Sequence, residues 1–255
     1  MSLSQVYADA IKEQLKYFSV WEPDQNLELT DYGYLGDNVF SQKGNLKDLN
    51  LGIEINIRTG TNESHQTLAT TDNSIFEIGE GRDGTNQAKA SLKIAFSKEN
   101  ACFFNAAGCI LSSIAHKDAI GKALIKLYQN DDWNKDYVIV MDLLLAKSAQ
   151  IVISKSSDSV FELEASSPEI TKIDLADGTV KLKIKNDKNL AFQFFGENCG
   201  VLQSLWKIEK SLFSSPDLEV IKMIEKEKPK KVKLKDFELQ QLDPKSHTNL
   251  MVSMA

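Results

Sequence analysis

Cysteine and histidine, from which metal and nucleophilic sites are often built, are scarce in this sequence. Three of each occur in 255 residues. An odd number of cysteines without framework spacing argues against a disulfide scaffold and fits a reducing compartment. No second cysteine pair and no nearby histidine completes a zinc pattern around Cys102 and Cys109. We therefore expect Cys102, Cys109 and Cys199 to be small buried side chains, and we expect no metal or other cofactor.

Long hydrophobic runs are missing as well. The N-terminal segment has no basic stretch followed by an apolar one, so we do not expect it to be a secretory signal. The longest apolar stretch, 137–146, is interrupted by Asp142 and is shorter than the roughly 18 residues of a membrane-spanning helix. The sequence therefore predicts a protein made in the cytoplasm, where any contact with a membrane comes later.

Positive charge is scarce except in one segment near the C-terminus. The net charge of −6 argues against nucleic acid as a partner. The segment 226–235 nevertheless contains six lysines and one glutamate. Two interpretations stay open: a solvated linker, or a strap that meets anionic lipid with about 1 kcal/mol per lysine. Its lysines are Lys226, Lys228, Lys230, Lys231, Lys233 and Lys235.

Motifs for nucleotide binding and catalysis are weak. Residues 79–84 match the G-x-G-x-x-G pattern, but a dinucleotide site needs a helix directly after it. The next segment, 88–96, alternates with a period of two, so we interpret 79–87 as a glycine-rich turn. The histidines lack H-E-x-x-H spacing and are expected at the surface. They are His65, His116 and His247.

Carboxylates and tryptophans also have structural explanations. Several aspartates lie near strand ends or close a helix, where Asp forms Asx-turns and caps, so we assign none to acid–base catalysis. They are Asp31, Asp37, Asp48, Asp131 and Asp132. The tryptophans are interpreted as core anchors rather than as stacking surfaces for bases. They are Trp21, Trp133 and Trp206. A hydrolase with an unrecognised site is kept as a minor alternative.

What the sequence has in abundance is apolar–polar alternation. It is clearest in 179–185, where Val180, Leu182 and Ile184 alternate with lysines. Alternation runs through 137–208 and is typical of antiparallel sheet with one solvent-facing side. We predict an α+β fold, a twisted and mostly antiparallel central sheet flanked by a few helices, with a C-terminal tail docked on the body.

Individual elements follow from periodicity and from breaking residues. Three amphipathic helices are predicted. Their ranges are 3–18 (with Ser4 as N-cap and Pro23 ending the segment), 114–128 and 217–227. Residues 88–106 are predicted to form a hairpin that turns at 97–100, and the polar segment 58–73 a mobile loop. The other predicted strands are 27–30, 39–42, 51–57, 74–78, 137–146, 149–155, 159–165, 179–185, 190–195 and 201–208.

The predicted organisation has three parts. A single α+β domain occupies 1–215, a helix with a lysine-rich linker occupies 216–235, and an apolar tail occupies 236–255. The tail is too apolar for a plain disordered terminus, so we expect it to dock on the domain.

The order of several segments resembles a known family. The segments are AKASLKIAFSKENACFFNAAG, then a helix, DYVIVMDLLLAKSAQIVIS, VFELEAS, TVKLKIK, LAFQFF and VLQSLWKI. In this order, with a short C-terminal peptide after the sheet, the chain resembles the bacterial gasdermins, pore-forming proteins of antiphage defence. The likeness covers roughly residues 25–215 and extends to the amino-terminal domain of animal gasdermins.

The resemblance implies a monomer that stays inactive in the cytoplasm until a protease removes its C-terminal peptide. Released subunits would then form a homo-oligomeric ring in the inner membrane, where two regions refold into amphipathic hairpins that span the bilayer. The tail residues implied to hold the inactive form are Phe237, Leu239, Leu242, Leu250 and Met251, and cleavage would fall in or near the lysine run. The candidate hairpin residues are Leu92, Ile94, Phe96, Val180, Leu182 and Ile184.

One feature departs from this family. Bacterial gasdermins often carry a lipidated cysteine close to the N-terminus, whereas Cys102 is the first cysteine here. An alternative from another functional class is a non-enzymatic adaptor or immunity-type binding protein. Such a protein would bind its partner through a sheet edge or through the basic segment.

Overall fold

Alternation along the chain produces two antiparallel sheets in the computed structural model of this protein. The structure describes residues 1–23, 25–69, 74–82, 88–166, 182–210 and 237–241. Within these residues, one sheet has nine strands and the other has four. We call them the long sheet and the small sheet. The predicted α+β class with a mostly antiparallel sheet is confirmed.

The long sheet is organised around two strands of unusual length. Strand β9, Val138–Ser154, has 17 residues and β12, Leu190–Lys210, has 21, and they pair over nearly all of β9. Strand β8, Cys102–Ile114, pairs along the other side of β9. The strands of this sheet are β1 Phe18–Ser19, β2 Asp31–Gly36, β3 Val39–Asn45, β4 Ile57–Thr59, β5 Ser64–Ala69, β8 Cys102–Ile114, β9 Val138–Ser154, β12 Leu190–Lys210 and β13 Phe237–Gln241.

The small sheet has the order β11-β10-β7-β6. Its strands are β6 Ser74–Arg82, β7 Ala88–Phe96, β10 Val160–Ser166 and β11 Leu182–Lys188.

Two α-helices cover the long sheet in the described part of the chain. Helix α1, Leu3–Leu15, packs Tyr7 and Ile11 onto β8 and β9, and helix α2, Lys117–Gln129, packs Ile120 and Leu124 onto the start of β9 and the end of β12. All four side chains are almost fully buried. A single 3-10 turn, Leu46–Leu49, follows β3 among the described residues. Each helix buries an apolar stripe, and the two stripes define the two halves of the core.

Helix α1 begins at Leu3 as predicted, but its N-cap and its C-terminal end differ from the prediction. Its N-cap is Ser2 rather than Ser4, because Ser2 and Gln5 form a reciprocal capping box: the Gln5 amide donates to Ser2 Oγ at 3.2 Å and the Ser2 amide donates to Gln5 Oε1 at 3.0 Å. The helix ends at Leu15, well before Pro23, since Lys16 takes a left-handed conformation with φ 59°. Phe18, expected on the helix, lies in β1.

Four strands predicted as separate pieces are two continuous strands. Residues 137–146 and 149–155 belong to β9, and 190–195 and 201–208 belong to β12. The register between the two strands shifts at several places, including the step from Gly200 to Leu202. A β-bulge changes which face a side chain occupies without ending the strand, so the alternation breaks while the backbone continues.

Several other local predictions are wrong. The predicted hairpin over 88–106 does not form, because β7 pairs inside the small sheet and β8 inside the long sheet. The predicted loop 58–73 contains β5 and part of β4, both paired with β8. Residues 27–30 form a turn, not a strand, and the predicted turn 79–87 instead begins with the last residues of β6.

The segment 51–57 shows why alternation alone does not establish a strand. Leu51, Ile53 and Ile55 are half-buried against the α2 half of the core, as the pattern predicted. Only Ile57 enters a ladder, where it opposes Ile114 of β8. The segment therefore packs on the core without joining a strand ladder before Ile57. The predicted helix 217–227 lies outside the described residues.

Candidate functional site

The small sheet consists of two hairpins placed side by side. Consecutive strands β6 and β7 pair with each other, as do β10 and β11, and β7 pairs with β10 between them. All three pairings are antiparallel. The prediction assigned hairpin residues to β7 and to the neighbourhood of β11, and the structure brings those two strands into one sheet with β6 and β10.

Register gives this sheet one apolar and one charged face. Ile94 lies opposite Phe76 on one side and Phe161 on the other, and Leu92 lies opposite Ile78 and Leu163. Positions directly opposite in an antiparallel pair share a face. Leu163 in turn lies opposite Ile184, and Leu182 lies opposite Ala165. The predicted positions Leu92, Ile94, Leu182 and Ile184 therefore fall on one face, with Phe96 at its end; Val180 lies outside the described residues.

The opposite face alternates in charge. Lys93 lies between Glu77 and Glu162, and Lys183 lies opposite Glu164. Opposite charges at facing positions stabilise a sheet by about 0.2–1 kcal/mol per pair. The charged pairs and the apolar pairs occur in the same register. Both faces therefore favour one alignment of the four strands. Strands were predicted at 74–78 and 159–165, where β6 and β10 lie, but no hairpin residue was assigned to either of them.

The small sheet meets the long sheet through an aromatic and aliphatic cluster. Ile94, Phe96 and Phe161 are fully buried against Phe103 and Val152 of the long sheet. The Phe161 ring also lies 5.8 Å from that of Phe195, which is 39% exposed. The end of the small sheet nearest the long sheet is therefore anchored in a core.

The two sheets repeat one strand order. In the long sheet, β5, β8, β9 and β12 are neighbours in that order. In the small sheet, β6, β7, β10 and β11 are neighbours in that order. Each strand of one set is joined by the chain to the matching strand of the other, β5 to β6, β7 to β8, β9 to β10 and β11 to β12. The small sheet is thus a bent continuation of four strands of the long sheet.

The C-terminal strand lies at the other end of the long sheet. Strand β13 pairs with β12, with Phe237 opposite Lys210 and Gln241 opposite Trp206. It also contacts α2. Lys207 of β12 lies opposite Val138, the first residue of β9, whereas the small sheet begins beyond Ser154. At about 3.3 Å per residue, the length of β9 separates the two by roughly 50 Å.

The described part of the predicted tail, Phe237–Gln241, therefore docks as an edge strand rather than across a sheet face. Leu239 lies opposite Ile208 in this pairing. Of the other residues predicted to hold the tail, Phe237 lies in β13, while Leu242, Leu250 and Met251 lie outside the described residues, as do the six lysines of 226–235.

A charged and aromatic cluster lies beside the β13 pairing. Lys117, the first residue of α2, donates to both carboxylate oxygens of Asp142 at 2.6 and 2.7 Å. Its Nζ also lies 4.8 Å from the centroid of the Trp206 ring. The Asp142 side chain is only 14% exposed. The cluster ties α2 to β9 and to the part of β12 that pairs with β13.

The remaining candidates take structural roles. Asp31 accepts hydrogen bonds from the Glu28 amide at 2.7 Å and from Asn45 Nδ2 at 2.8 Å, which is turn chemistry. Burial raises the pKa of Cys102 to about 12 and that of Cys109 to about 11, so both remain unreactive thiols. Cys199 is half-buried. Trp133 packs against Tyr32 and Tyr137, as expected of a core anchor.

The glycine pattern at 79–84 does not form a nucleotide loop in the part that is described. Gly79 and Gly81 lie within β6, opposite Ser91 and Lys89. The next described element is a strand, β7, rather than the helix that a phosphate site needs. Among the described residues, no group of three or more His, Cys, Asp or Glu side chains is placed to hold a metal ion. No described helix is long and apolar enough to cross a membrane.

Comparison with known proteins adds little to this geometry. No family model and no curated protein matches the sequence. Among solved structures, the chain is similar to one from the cryo-EM structure of the gasdermin A3 membrane pore, at 10% identity and a TM-score of 0.26. That match covers 84% of this chain and 86% of the other. A likeness this weak carries no argument about function.

Proposed function

We propose that this protein is a non-enzymatic pore former of bacterial antiphage defence, held inactive by its C-terminal segment. The observation that carries the proposal is the small sheet, in which two amphipathic hairpins lie side by side in one register. The sequence resemblance described above implies the same class of function. Each further step rests on the chemistry of these strands.

The lengths of β6 and β7 suit a bilayer, whereas the described strands β10 and β11 have seven residues each and are shorter than a spanning strand. Strands β6 and β7 have nine residues each, and a strand tilted through a bilayer needs about 9–11. The face that carries Phe76, Ile78, Leu92 and Ile94 would contact lipid. The face that carries Glu77 and Lys93 would contact water.

Open edges make oligomerisation necessary for such a state. Among the described strands, β6 and β11 are the edges of the small sheet. Unpaired backbone groups in the hydrocarbon region cost several kcal/mol each, so each edge would need a strand from a neighbouring subunit. The active form would therefore be a homo-oligomer in the inner membrane, and the inactive form a cytoplasmic monomer.

The C-terminal segment supplies the proposed control. Strand β13 occupies the edge of β12 from Trp206 to Lys210, about 50 Å from the hairpins. It would act by covering this edge of the long sheet rather than by covering the hairpins. A tethered strand benefits from a high effective concentration, which cleavage in 226–235 by an activating protease would remove.

The test uses the full chain with a specific protease site inserted between residues 226 and 235. Dye-loaded vesicles of phosphatidylethanolamine and phosphatidylglycerol are mixed with the protein, and leakage is followed before and after cleavage. We expect leakage only after cleavage. Absence of dye leakage both before and after cleavage would contradict the proposed pore.

A matched pair of variants tests the hairpin assignment. Leu92→Asp places a charge on the apolar face of β7, and Ser91→Asp places the same charge at the adjacent position on the polar face. Leu92→Asp should abolish leakage after cleavage, since a carboxylate facing the hydrocarbon region is strongly unfavourable. Ser91→Asp should retain most of it. Equal effects of the two variants would contradict the assignment.

A second function is favoured by the β13 pairing itself. The edge of β12 accepts a strand through backbone hydrogen bonds, which is how many adaptors bind extended peptides. An adaptor would bind a partner strand at this edge once β13 is removed, and the cleaved protein would leave vesicles intact.

A further inference from the structure

The chain crosses between the two sheets within one small region. The crossings with every residue described are 97–101 from β7 to β8, 155–159 from β9 to β10, and Asn189 from β11 to β12. Side chains of four residues link these crossings to one another. We call Ser154, Asp158, Ser159 and Asn189 the junction cluster.

Ser154 holds the first crossing. Its hydroxyl accepts from the Ala101 amide at 2.9 Å and donates to the Lys98 carbonyl at 2.7 Å. Its own carbonyl accepts from the Asn100 amide at 3.1 Å. Ser154 is completely buried, so these bonds form away from competing water.

Ser159 forms hydrogen bonds with the other two crossings, 155–159 and Asn189. Its hydroxyl accepts from the amides of Lys155 and Ser156 at 3.2 and 3.0 Å and donates to the Asn189 carbonyl. Its carbonyl accepts from the Phe96 amide at 2.9 Å. Ser159 is also completely buried. One serine therefore joins the end of β7, the turn after β9 and the bend before β12.

Asp158 completes the cluster at the surface. Its carboxylate accepts from the Ser156 hydroxyl, from Asn189 Nδ2 at 2.9 Å and from Lys188 Nζ at 3.0 Å. These hydrogen bonds lower the pKa of Asp158 to about 2. Its side chain is 58% exposed, so substitution there leaves the core intact.

Two residues at the crossings have a left-handed backbone conformation, which bends the chain there. Asn100 has φ 60° and Asn189 has φ 55°. A straight strand needs φ near −120° to −140° at such positions. The serine contacts within 154–159 also belong to a turn, and they cannot persist if β9 continues straight into β10.

We propose that the junction cluster is a latch that keeps the small sheet bent against the long sheet, and that its release lets the joined strands straighten. This inference rests on the proposed pore function, because straightening is what would carry the hairpins away from the body. The hydrogen bonds that the Ser159 hydroxyl and the Asp158 carboxylate form within the 155–159 turn stabilise only the bent form. Weakening them lowers the barrier to straightening.

The first measurement is a distance that does not depend on leakage. Lys147 in β9 and Lys89 at the far end of β7 are each replaced by a non-natural amino acid that carries a spin label, and the distance between the two labels is measured. In a straightened chain these positions lie roughly 50–60 Å apart, because the strands add end to end. The full-length protein is cleaved at the inserted site and mixed with the vesicles described above. The fraction of molecules whose two labels lie at the long distance is then compared between variants.

Ser159→Ala should raise that fraction, or the rate at which it forms, about fivefold, since it removes several hydrogen bonds of the bent form. Ser112→Ala is the matched control, a buried serine of β8 whose hydroxyl pairs with that of Thr59 at 3.2 Å. The control should leave the fraction unchanged. An unchanged fraction in Ser159→Ala, or an equal rise in the control, overturns the latch.

A second variant covers the case in which Ser159→Ala does not fold. Asp158→Asn removes only the surface part of the cluster and should raise the fraction in the same direction, by less. Leakage is recorded in parallel. A distance change without leakage supports the latch and contradicts the pore, whereas leakage with unchanged distances in both variants contradicts the latch alone.

Discussion

The long sheet and the small sheet are built from the same kind of sequence, yet both described helices pack on the long sheet. Both alternate apolar and polar residues, and four strands run from one into the other. The long sheet packs under α1 and α2, which bury side chains from most of its length. In the small sheet, the buried side chains that the structure describes are Ile94, Phe96 and Phe161, all at the end next to the long sheet.

This difference predicts that the two sheets differ in stability. A face covered by helices is removed from water permanently, and each buried large side chain contributes about 1.5–3 kcal/mol. The strands of the small sheet have seven to nine residues, against 13 to 21 in β8, β9 and β12, so shorter ladders hold it and it can open locally while the rest stays folded. We therefore expect the long sheet to determine global stability and the small sheet to form a separate, less stable unit.

The largest effect is expected from Phe104→Ala in the α1 half of the core. Phe104 is completely buried and its ring lies 6.0 Å from that of Tyr7. The cavity should lower the free energy of unfolding by about 3–5 kcal/mol, measured by urea denaturation. Phe195→Ala, at a residue 39% exposed, is the control and should lose much less. Equal losses would remove the distinction between covered and open faces.

Phe161→Ala should have a smaller and more local effect. Phe161 is completely buried in the cluster between the sheets. We expect a loss of about 3 kcal/mol, because part of the Phe161 environment is the half-exposed Phe195. Amide hydrogen exchange should accelerate in β6, β7, β10 and β11 while β9 and β12 keep their protection. Uniform acceleration across both sheets would show that they unfold as one unit.

Lys117→Met should destabilise the end of the long sheet that pairs with β13. The variant leaves the Asp142 carboxylate, 14% exposed, without its ammonium partner, and we expect a loss of about 1–3 kcal/mol in urea denaturation. Exchange in the small sheet should stay unchanged. Lys135→Met breaks a pair whose side chains are 67% and 59% exposed, and should leave the urea midpoint nearly unchanged, because solvent screens an exposed ion pair. A comparable loss in both variants would mean that burial of the pair is unimportant.

The smallest effect should come from acidification at the junction. Hydrogen bonds from Ser156, Lys188 and Asn189 lower the pKa of Asp158 to about 2, below its ordinary value near 4. The stabilisation is therefore fully present above about pH 4 and is lost as the pH falls through about 2. The melting-temperature difference between the wild type and Asp158→Asn should shrink over that interval. A constant difference would show that the charge of Asp158 does not contribute.

Periodicity predicted the faces of elements better than it predicted their partners. The buried positions of α1 and α2 and the apolar face of β7 follow from spacing, because helix and strand periods depend only on local geometry. The pairing of β7 with β10, across more than sixty residues of chain, left no local signal. Bulges in β9 and β12 hid their continuity for the same reason, since a bulge alters alternation locally and pairing is decided by the partner strand.

The sequence by itself determined the α+β class, the amphipathic stripes and the positions that alternate along 88–96 and 179–185. Only the tertiary structure decided that two hairpins form one small sheet, that this sheet continues four strands of the long sheet, and that β13 pairs at the opposite end. The physical reason is that side-chain period is a property of neighbouring residues. Strand order, by contrast, depends on segments that are far apart in sequence. Two such segments become neighbours when their pairing satisfies their backbone groups and buries their apolar faces.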